Sequence, residues 1–219
     1  VKFIGIDLSG PSNHKDTAAV VCREEHNQLF IEDLQSGLSD QAIFSIITEQ
    51  AKRNNKIYIG IDAPLSYQDG GGDRETDRGL RNYAKHLGVK PGSIMPPTLT
   101  RMIYLTARGV HLAHMIKNSF PNKVEIVEVH PGIALASRLP IEDRPQAVLY
   151  KKDEQSRRFV HKWLSEIYFQ SVDLVEDSST HQLDACLAAL ACWHWFSETK
   201  SPAWHMPEQP PHHPFPFSS

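Results

Sequence analysis

The sequence predicts an α/β protein. Its expected core is a mixed five-stranded sheet, an antiparallel meander followed by parallel strands, flanked by helices and carrying a helical insertion. Three observations predict this. Three short β-type runs follow one another between Val1 and Leu34 with connections too short for a crossover. A helical stretch separates the third run from a fourth, which makes the fourth parallel to a strand already in the sheet. The last apolar helix opens on a capping box, Ser179-Thr180-His181-Gln182, where Gln182 stands three residues after Ser179.

The first strand, Val1-Lys2-Phe3-Ile4-Gly5-Ile6-Asp7, is a short apolar run ending on a carboxylate, followed by the polar turn Leu8 to Asn13. Gly5 has no side chain, so another element is expected to approach the strand there. Asp7 sits where the strand leaves the core, the usual place for a site in an open α/β sheet. It is equally placed to cap the Ser9-Gly10 turn. Thr17 to Cys22 reads as the second strand, the polar Glu24-Glu25-His26-Asn27 as its break, and Gln28 to Leu34 as the third strand. Ser39 is positioned to cap a helix reaching about Asn54, with Ala42, Ile43, Ile46, Ile47 and Ala51 on its apolar face. Lys56 to Ile61 repeats the logic of the first strand: an apolar run, a glycine near its end, and Asp62 at its exit.

The insertion covers about 66–122. It holds Gly70-Gly71-Gly72, a helix from Asp73 to Leu87, a proline-framed loop and a second helix from Arg101 to Asn118. Arg74, Arg78, Arg81 and Lys85 are spaced to share a face, either solvated or phosphate-binding. His111 and His114 lie one turn apart, which falls short of a zinc ligand set. Lys123 to Val129 is the fifth strand. Glu128 near its exit reads either as a site carboxylate or as an edge charge beside Glu125. Helices are expected over Ile133–Leu139 and Asp153–Phe169, the latter with a mixed-charge solvent face that Lys151 and Lys152 precede. The closing helix runs from Ser179 to about Ser197 with Leu183, Cys186, Leu187, Leu190, Ala191 and His194 on its buried side. Asp184 falls in its first turn, where the helix dipole favours a carboxylate with or without a function. The domain is thus expected to span 1–199. The Pro/His-rich tail over 200–219 is expected either to lie extended against it or to be mobile.

The composition narrows the function classes. A net charge of −3 shows no basic excess of the kind a nonspecific DNA-binding surface carries. The three cysteines are odd in number and lie in apolar stretches, so they read as reduced core thiols. No apolar run reaches the length of a membrane span and no signal peptide is visible, so a cytoplasmic protein with no membrane partner is expected.

Three expected strands therefore end in carboxylates, Asp7, Asp62 and Glu128, and a fourth acid, Asp184, opens the last helix. Strand exits lie about 5 Å apart when strands are neighbours, so these acids can converge. Clustered carboxylates repel, and a divalent cation relieves them. Mg²⁺ or Mn²⁺ suits an all-oxygen cage, whereas zinc would call for Cys/His ligands.

The element order and five phrases resemble one family. The phrases are Ile4-Gly5-Ile6-Asp7-Leu8-Ser9-Gly10, Ile61-Asp62-Ala63-Pro64-Leu65, Asp77-Arg78-Gly79-Leu80-Arg81, Val127-Glu128-Val129-His130-Pro131 and His181-Gln182-Leu183-Asp184-Ala185. Over about Val1 to Ser197 the chain resembles a domain-of-unknown-function family of predicted nucleases with the ribonuclease H-like fold. The resemblance implies a metal-dependent nuclease or phosphodiesterase whose metal ligands are Asp7, Asp62 and Asp184. Glu128 would serve as a fourth ligand or orient the attacking water. Arg74, Arg78, Arg81 and Arg101 would hold the phosphates of a nucleic acid or nucleotide substrate, and His130 would either assist proton transfer or be structural. Two other readings stay open. Asp7-Leu8-Ser9-Gly10 also resembles the first phosphate loop of actin-like ATPases, although the second loop expected after Glu128 is missing. A binding protein that kept the fold without catalysis would also fit.

Overall fold

In the computed structural model, which describes residues 1–170 and 179–219, the centre of the sheet follows the predicted order. Strand β1 (Lys2–Asp7) pairs antiparallel with β2 (Ala18–Glu25), and β2 pairs antiparallel with β3 (Gln28–Ser36). The β2–β3 turn sits on His26 and Asn27, both at positive φ, as a tight hairpin requires. Helix α1 (Asp40–Arg53) starts at Ser39, whose hydroxyl accepts the Ala42 N–H, and carries the chain over to β4 (Ile57–Asp62). Strand β4 is parallel to β1, and β5 (Val124–Val129) is parallel to β4.

The insertion between β4 and β5 forms α2 (Glu75–His86) and α3 (Ile103–Ser119). After β5, Pro131 begins the short α4 (Pro131–Ala136), two residues earlier than its apolar pattern suggests, because proline suits a first helical position. Then follow α5 (Gln146–Leu149), α6 (Glu154–Ile167), β6 (Phe169–Gln170) and α7 (Thr180–Phe196). Helix α7 has the expected capping box between Ser179 and Gln182.

Among the described residues the expected five strands become eight, in the order β6-β3-β2-β1-β4-β5-β8-β7. Strand β6 extends one edge beside β3, and the residues read as a tail extend the other. Within that segment, β8 (Phe217–Ser218) lies parallel to β5 and β7 (His205–Met206) antiparallel to β8. Its prolines exclude a helix but permit extended chain, and Glu128 donates its N–H to the Pro216 carbonyl at 2.9 Å.

Two cores cover the two faces of the sheet. On one, α7 and α4 pack over Phe3, Val20, Cys22, Val127 and Val129. On the other, α1 and α3 pack over Ile4, Ile6, Ile57, Ile59, Ile61 and Ile126. The split follows the period-two alternation of strand side chains. Gly5 and Gly60 both lie on the α7 face, and both are the close approaches that a glycine there permits. A Cβ at Gly5 would stand 1.9 Å from the Ala185 carbonyl oxygen, and one at Gly60 2.4 Å from that of Ala188. The three cysteines are free and buried. Among the described residues no helix is long and apolar enough to cross a membrane.

Candidate metal centre

Strands β1 and β4 both read Ile-Gly-Ile-Asp, and they pair in register with Asp7 opposite Asp62. Residues at one register position of a parallel pair share a face, so both carboxylates stand on the face covered by α7. The two glycines, each two residues before its aspartate, let α7 sit directly on the backbone. That contact brings the start of α7 to the strand exits. Asp184, expected in the first turn, lies just past it, because the helix begins at Thr180 and its first turn holds no acid. One carboxylate oxygen from each of Asp7, Asp62 and Asp184 lies within 4.8 Å of the others. Asp7 and Asp184 are buried and Asp62 is partly so.

Three further side chains partner this group. His181, on the same turn of α7, meets Asp7 at 2.7 Å from its Nδ1. The Lys151 ammonium lies 2.6 Å from Asp184 Oδ2. The Tyr150 hydroxyl donates to Asp184 Oδ1. Asp7 is therefore not the cap of the turn after it. That turn is held by the Ser9 hydroxyl donating to the Asn13 carbonyl at 2.5 Å. Arg108 of α3 also donates to the Ser9 carbonyl and the Thr17 hydroxyl, both at 2.8 Å.

The electrostatics show a site with more negative charge than the chain neutralises. Burial pushes the Asp7 carboxyl up to about 6, against the lowering effect of His181, with Asp184 adding to the rise. Burial, then the Asp7 charge, holds Asp62 well above the usual carboxylate range. Burial alone would lower the Lys151 ammonium, but Asp184 and Asp62 hold it above its ordinary value. The hydrogen bond to Asp7 raises His181. An all-carboxylate donor set with residual negative charge fits a hard divalent cation, with Asp7, Asp62 and Asp184 as the residues to hold it.

Glu128 does not join the three aspartates. In β5 it pairs with Ile61, one residue before Asp62, so alternation turns its side chain to the opposite face. There its oxygens accept from Arg74 at 2.6 and 2.8 Å and from the Leu65 N–H at 2.9 Å. Arg74 spends all five of its N–H groups within the protein, two on Glu128, two on Asp77 and one on Ser66. The Ser66 hydroxyl in turn meets His213 Nδ1 at 2.9 Å, which ties in the C-terminal segment. Arg74 precedes α2 as its cap and is buried, so it is a strut rather than an exposed phosphate grip. Arg81 pairs with Asp73 and donates to the Ile94 carbonyl at 2.9 Å, and Arg78 donates to the Asp73 carbonyl at 2.8 Å. Arg101 is exposed at the approach to α3.

His130 caps α4, its Nδ1 accepting the Ile133 N–H at 3.4 Å, and burial lowers it to about 4. His111 and His114 line an apolar groove of about 710 Å³ on α3 that shares no lining residue with the cleft containing Asp7 and Asp62. Lys151, expected on a solvent face, instead meets Asp184. It sits in the turn between the four-residue α5 and α6, where no periodicity marks it. His181 and Asp184 share a turn at i, i+3 spacing, which is the one signal in the sequence that joins them.

The strut yields a test. Removing the Arg74 charge leaves Asp77 and Glu128 buried against each other, so Arg74→Met is expected to cost roughly 3–5 kcal/mol, the usual penalty for breaking a buried ion pair. Glu128→Gln keeps Arg74 paired with Asp77 and should cost less. Urea unfolding without any ligand measures both, and an unchanged midpoint for Arg74→Met would return Arg74 to the phosphate-binding role.

An α/β scaffold that gathers three aspartates from two strand exits and a helix start is a candidate cation-binding protein. The chain belongs to the family described as Protein of unknown function (DUF429), whose model matches residues 5–210. Comparison with curated proteins and with solved structures returns no match.

Proposed function

We propose that this chain is a ribonuclease H-like phosphodiesterase that hydrolyses phosphodiester bonds in nucleic acid or a nucleotide with Mg²⁺ or Mn²⁺ held by Asp7, Asp62 and Asp184. The convergence of these three acids carries the reading. The strand order β3-β2-β1-β4-β5 supports the fold assignment, because it combines an antiparallel meander with parallel strands around the acid-bearing pair.

A divalent ion in such a site supplies charge for the phosphoryl oxygens and a nucleophilic water at neutral pH. The chain supplies the rest. His181 fixes the orientation of the Asp7 carboxylate, and Tyr150 does the same for Asp184. The Lys151 ammonium has donors left beyond its bond to Asp184, and these suit a non-bridging phosphate oxygen. In the net reaction the water oxygen bonds to phosphorus, one ester P–O bond breaks, and the water's proton ends on the departing alkoxide.

The test is Mn²⁺ calorimetry alongside hydrolysis assays with Mn²⁺ or EDTA. Wild type is expected to bind Mn²⁺ saturably and to cleave only with metal. Asp7→Asn and Asp184→Asn are each expected to lose at least about 100-fold in activity, more than an outer-shell change costs. Cleavage that survives EDTA or either substitution sinks the reading.

A further inference from the structure

The cleft at the acid site is small and mostly apolar, and it is poor in cations. Its volume is about 300 Å³, the lower end for small-molecule sites, roughly 300–1,000 Å³. The insertion roofs it with Ile94, Met95, Met102 and Leu105, and His130 lines it as a neutral ring. Among the described residues two cations line it, Arg74 and Lys151. Arg74 has no side-chain N–H left to give, so among the described lining residues Lys151 is the cation with donors to spare for an anion. The insertion arginine expected to grip phosphate does something else here. Arg81 holds the Ile94 carbonyl, which fixes the roof in place. A protein that makes about 6–10 duplex phosphate contacts does so with a matching set of Lys and Arg side chains, whereas this cleft offers one ammonium and the acids that would hold a cation.

Building on the phosphodiesterase reading, we infer that the substrate is a nucleotide-sized phosphodiester rather than a duplex. One phosphate faces Asp7, Asp62 and Lys151, and one flat, weakly polar base lies against Met95, Met102 and Leu105. Thioether and aliphatic groups suit such a base, since they adapt to ring faces without demanding a particular hydrogen-bond pattern.

Calorimetry in Ca²⁺ with thymidine 5′-monophosphate, against a 20-base-pair duplex, tests the cleft without relying on turnover. The monophosphate is expected to bind one to one with little salt dependence. Met102→Trp and Met95→Trp, two independent ways to fill the cleft, are each expected to weaken it at least tenfold while Mn²⁺ affinity stays unchanged. Duplex binding that falls steeply with salt, with the monophosphate unbound or both tryptophan variants silent, overturns the inference.

Turnover is then read with the p-nitrophenyl ester of thymidine 5′-monophosphate in Mn²⁺. Water adds to phosphorus and nitrophenolate leaves. Hydrolysis of this ester with covalently closed circular duplex left intact supports the inference, and efficient nicking of that circle overturns it while leaving the phosphodiesterase reading standing. Monophosphate binding without hydrolysis of any diester supports the cleft assignment and overturns the hydrolase reading instead.

Discussion

Asp62→Asn is expected to melt higher than wild type without metal at pH 8, and lower than wild type once Mn²⁺ is added. The first half follows from burial. Asp62 is held well above the usual carboxylate range, and its neighbour Asp7 is pushed up to about 6. A carboxyl whose folded value is raised binds its proton more tightly in the folded state than in the unfolded chain. Stability therefore falls as pH climbs from the unfolded value near 4 through the folded value. At pH 4 almost none of the cost is present. It grows as pH rises, and by pH 8 the part that belongs to Asp7, whose folded value is about 6, is complete.

Asparagine removes one buried charge, worth on the order of 1–3 kcal/mol, or roughly 2–12 °C at about 2–4 °C per kcal/mol for a chain of this size. The second half follows from linkage. Metal at about 1,000 times its Kd adds roughly 4.1 kcal/mol to the protein that binds it, more than the asparagine gains, and nothing to one that has lost a ligand. Thermal melts at pH 4 and pH 8, each with Mn²⁺ and with EDTA, give the four comparisons. A metal-free variant that melts below wild type at pH 8 would mean that the protein's own cations already neutralise Asp62, and the case for a bound ion would fail.

The part of the site legible in the sequence was the part written as repetition. Ile-Gly-Ile-Asp occurs at both strand exits, and the glycine placed two residues before each aspartate marks the face that a helix covers. Glu128 lacks that mark. Ile126 stands two residues before it, so its carboxylate shares a face with large aliphatic side chains. Val124 to Val129 is apolar on both faces, and composition alone does not say which way its acid points. Register against β4 decides it.

Lys151 and Tyr150 were not legible, because they reach Asp184 across 33 and 34 residues of sequence from the turn that follows the short α5. The arginines of the insertion were legible as a cluster but not in their use. Whether a guanidinium meets solvent or two carboxylates depends on how the insertion folds back, which no spacing encodes. The C-terminal strands were hidden for a simpler reason. Each has two residues, too few to show alternation, and the prolines around them signal only extended chain.

Gly5→Ala is expected to be the most damaging small substitution outside the acids. The added methyl would stand 1.9 Å from the Ala185 carbonyl oxygen and 2.4 Å from the Ala189 nitrogen. Both are helix backbone atoms, so no rotamer change relieves the clash and α7 itself has to move. Ordinary overpacking of a core costs roughly 1–3 kcal/mol because side chains can give way. Here a buried 17-residue helix must lift from the sheet, so a loss of about 4 kcal/mol or more is expected.

The functional consequence is separable from the loss of stability. Asp184 immediately precedes Ala185, so any movement that admits the methyl carries Asp184 away from Asp7 and Asp62. Whatever fraction of Gly5→Ala still folds is therefore expected to bind Mn²⁺ far more weakly than wild type. Gly10→Ala serves as the control, since a Cβ there meets nothing within 4 Å, and it is expected to keep both stability and Mn²⁺ affinity. Circular-dichroism melts read the first quantity and calorimetry at a temperature below both transitions reads the second. A folded Gly5→Ala protein with wild-type Mn²⁺ affinity would break the link between the glycine contact and the placement of the third aspartate.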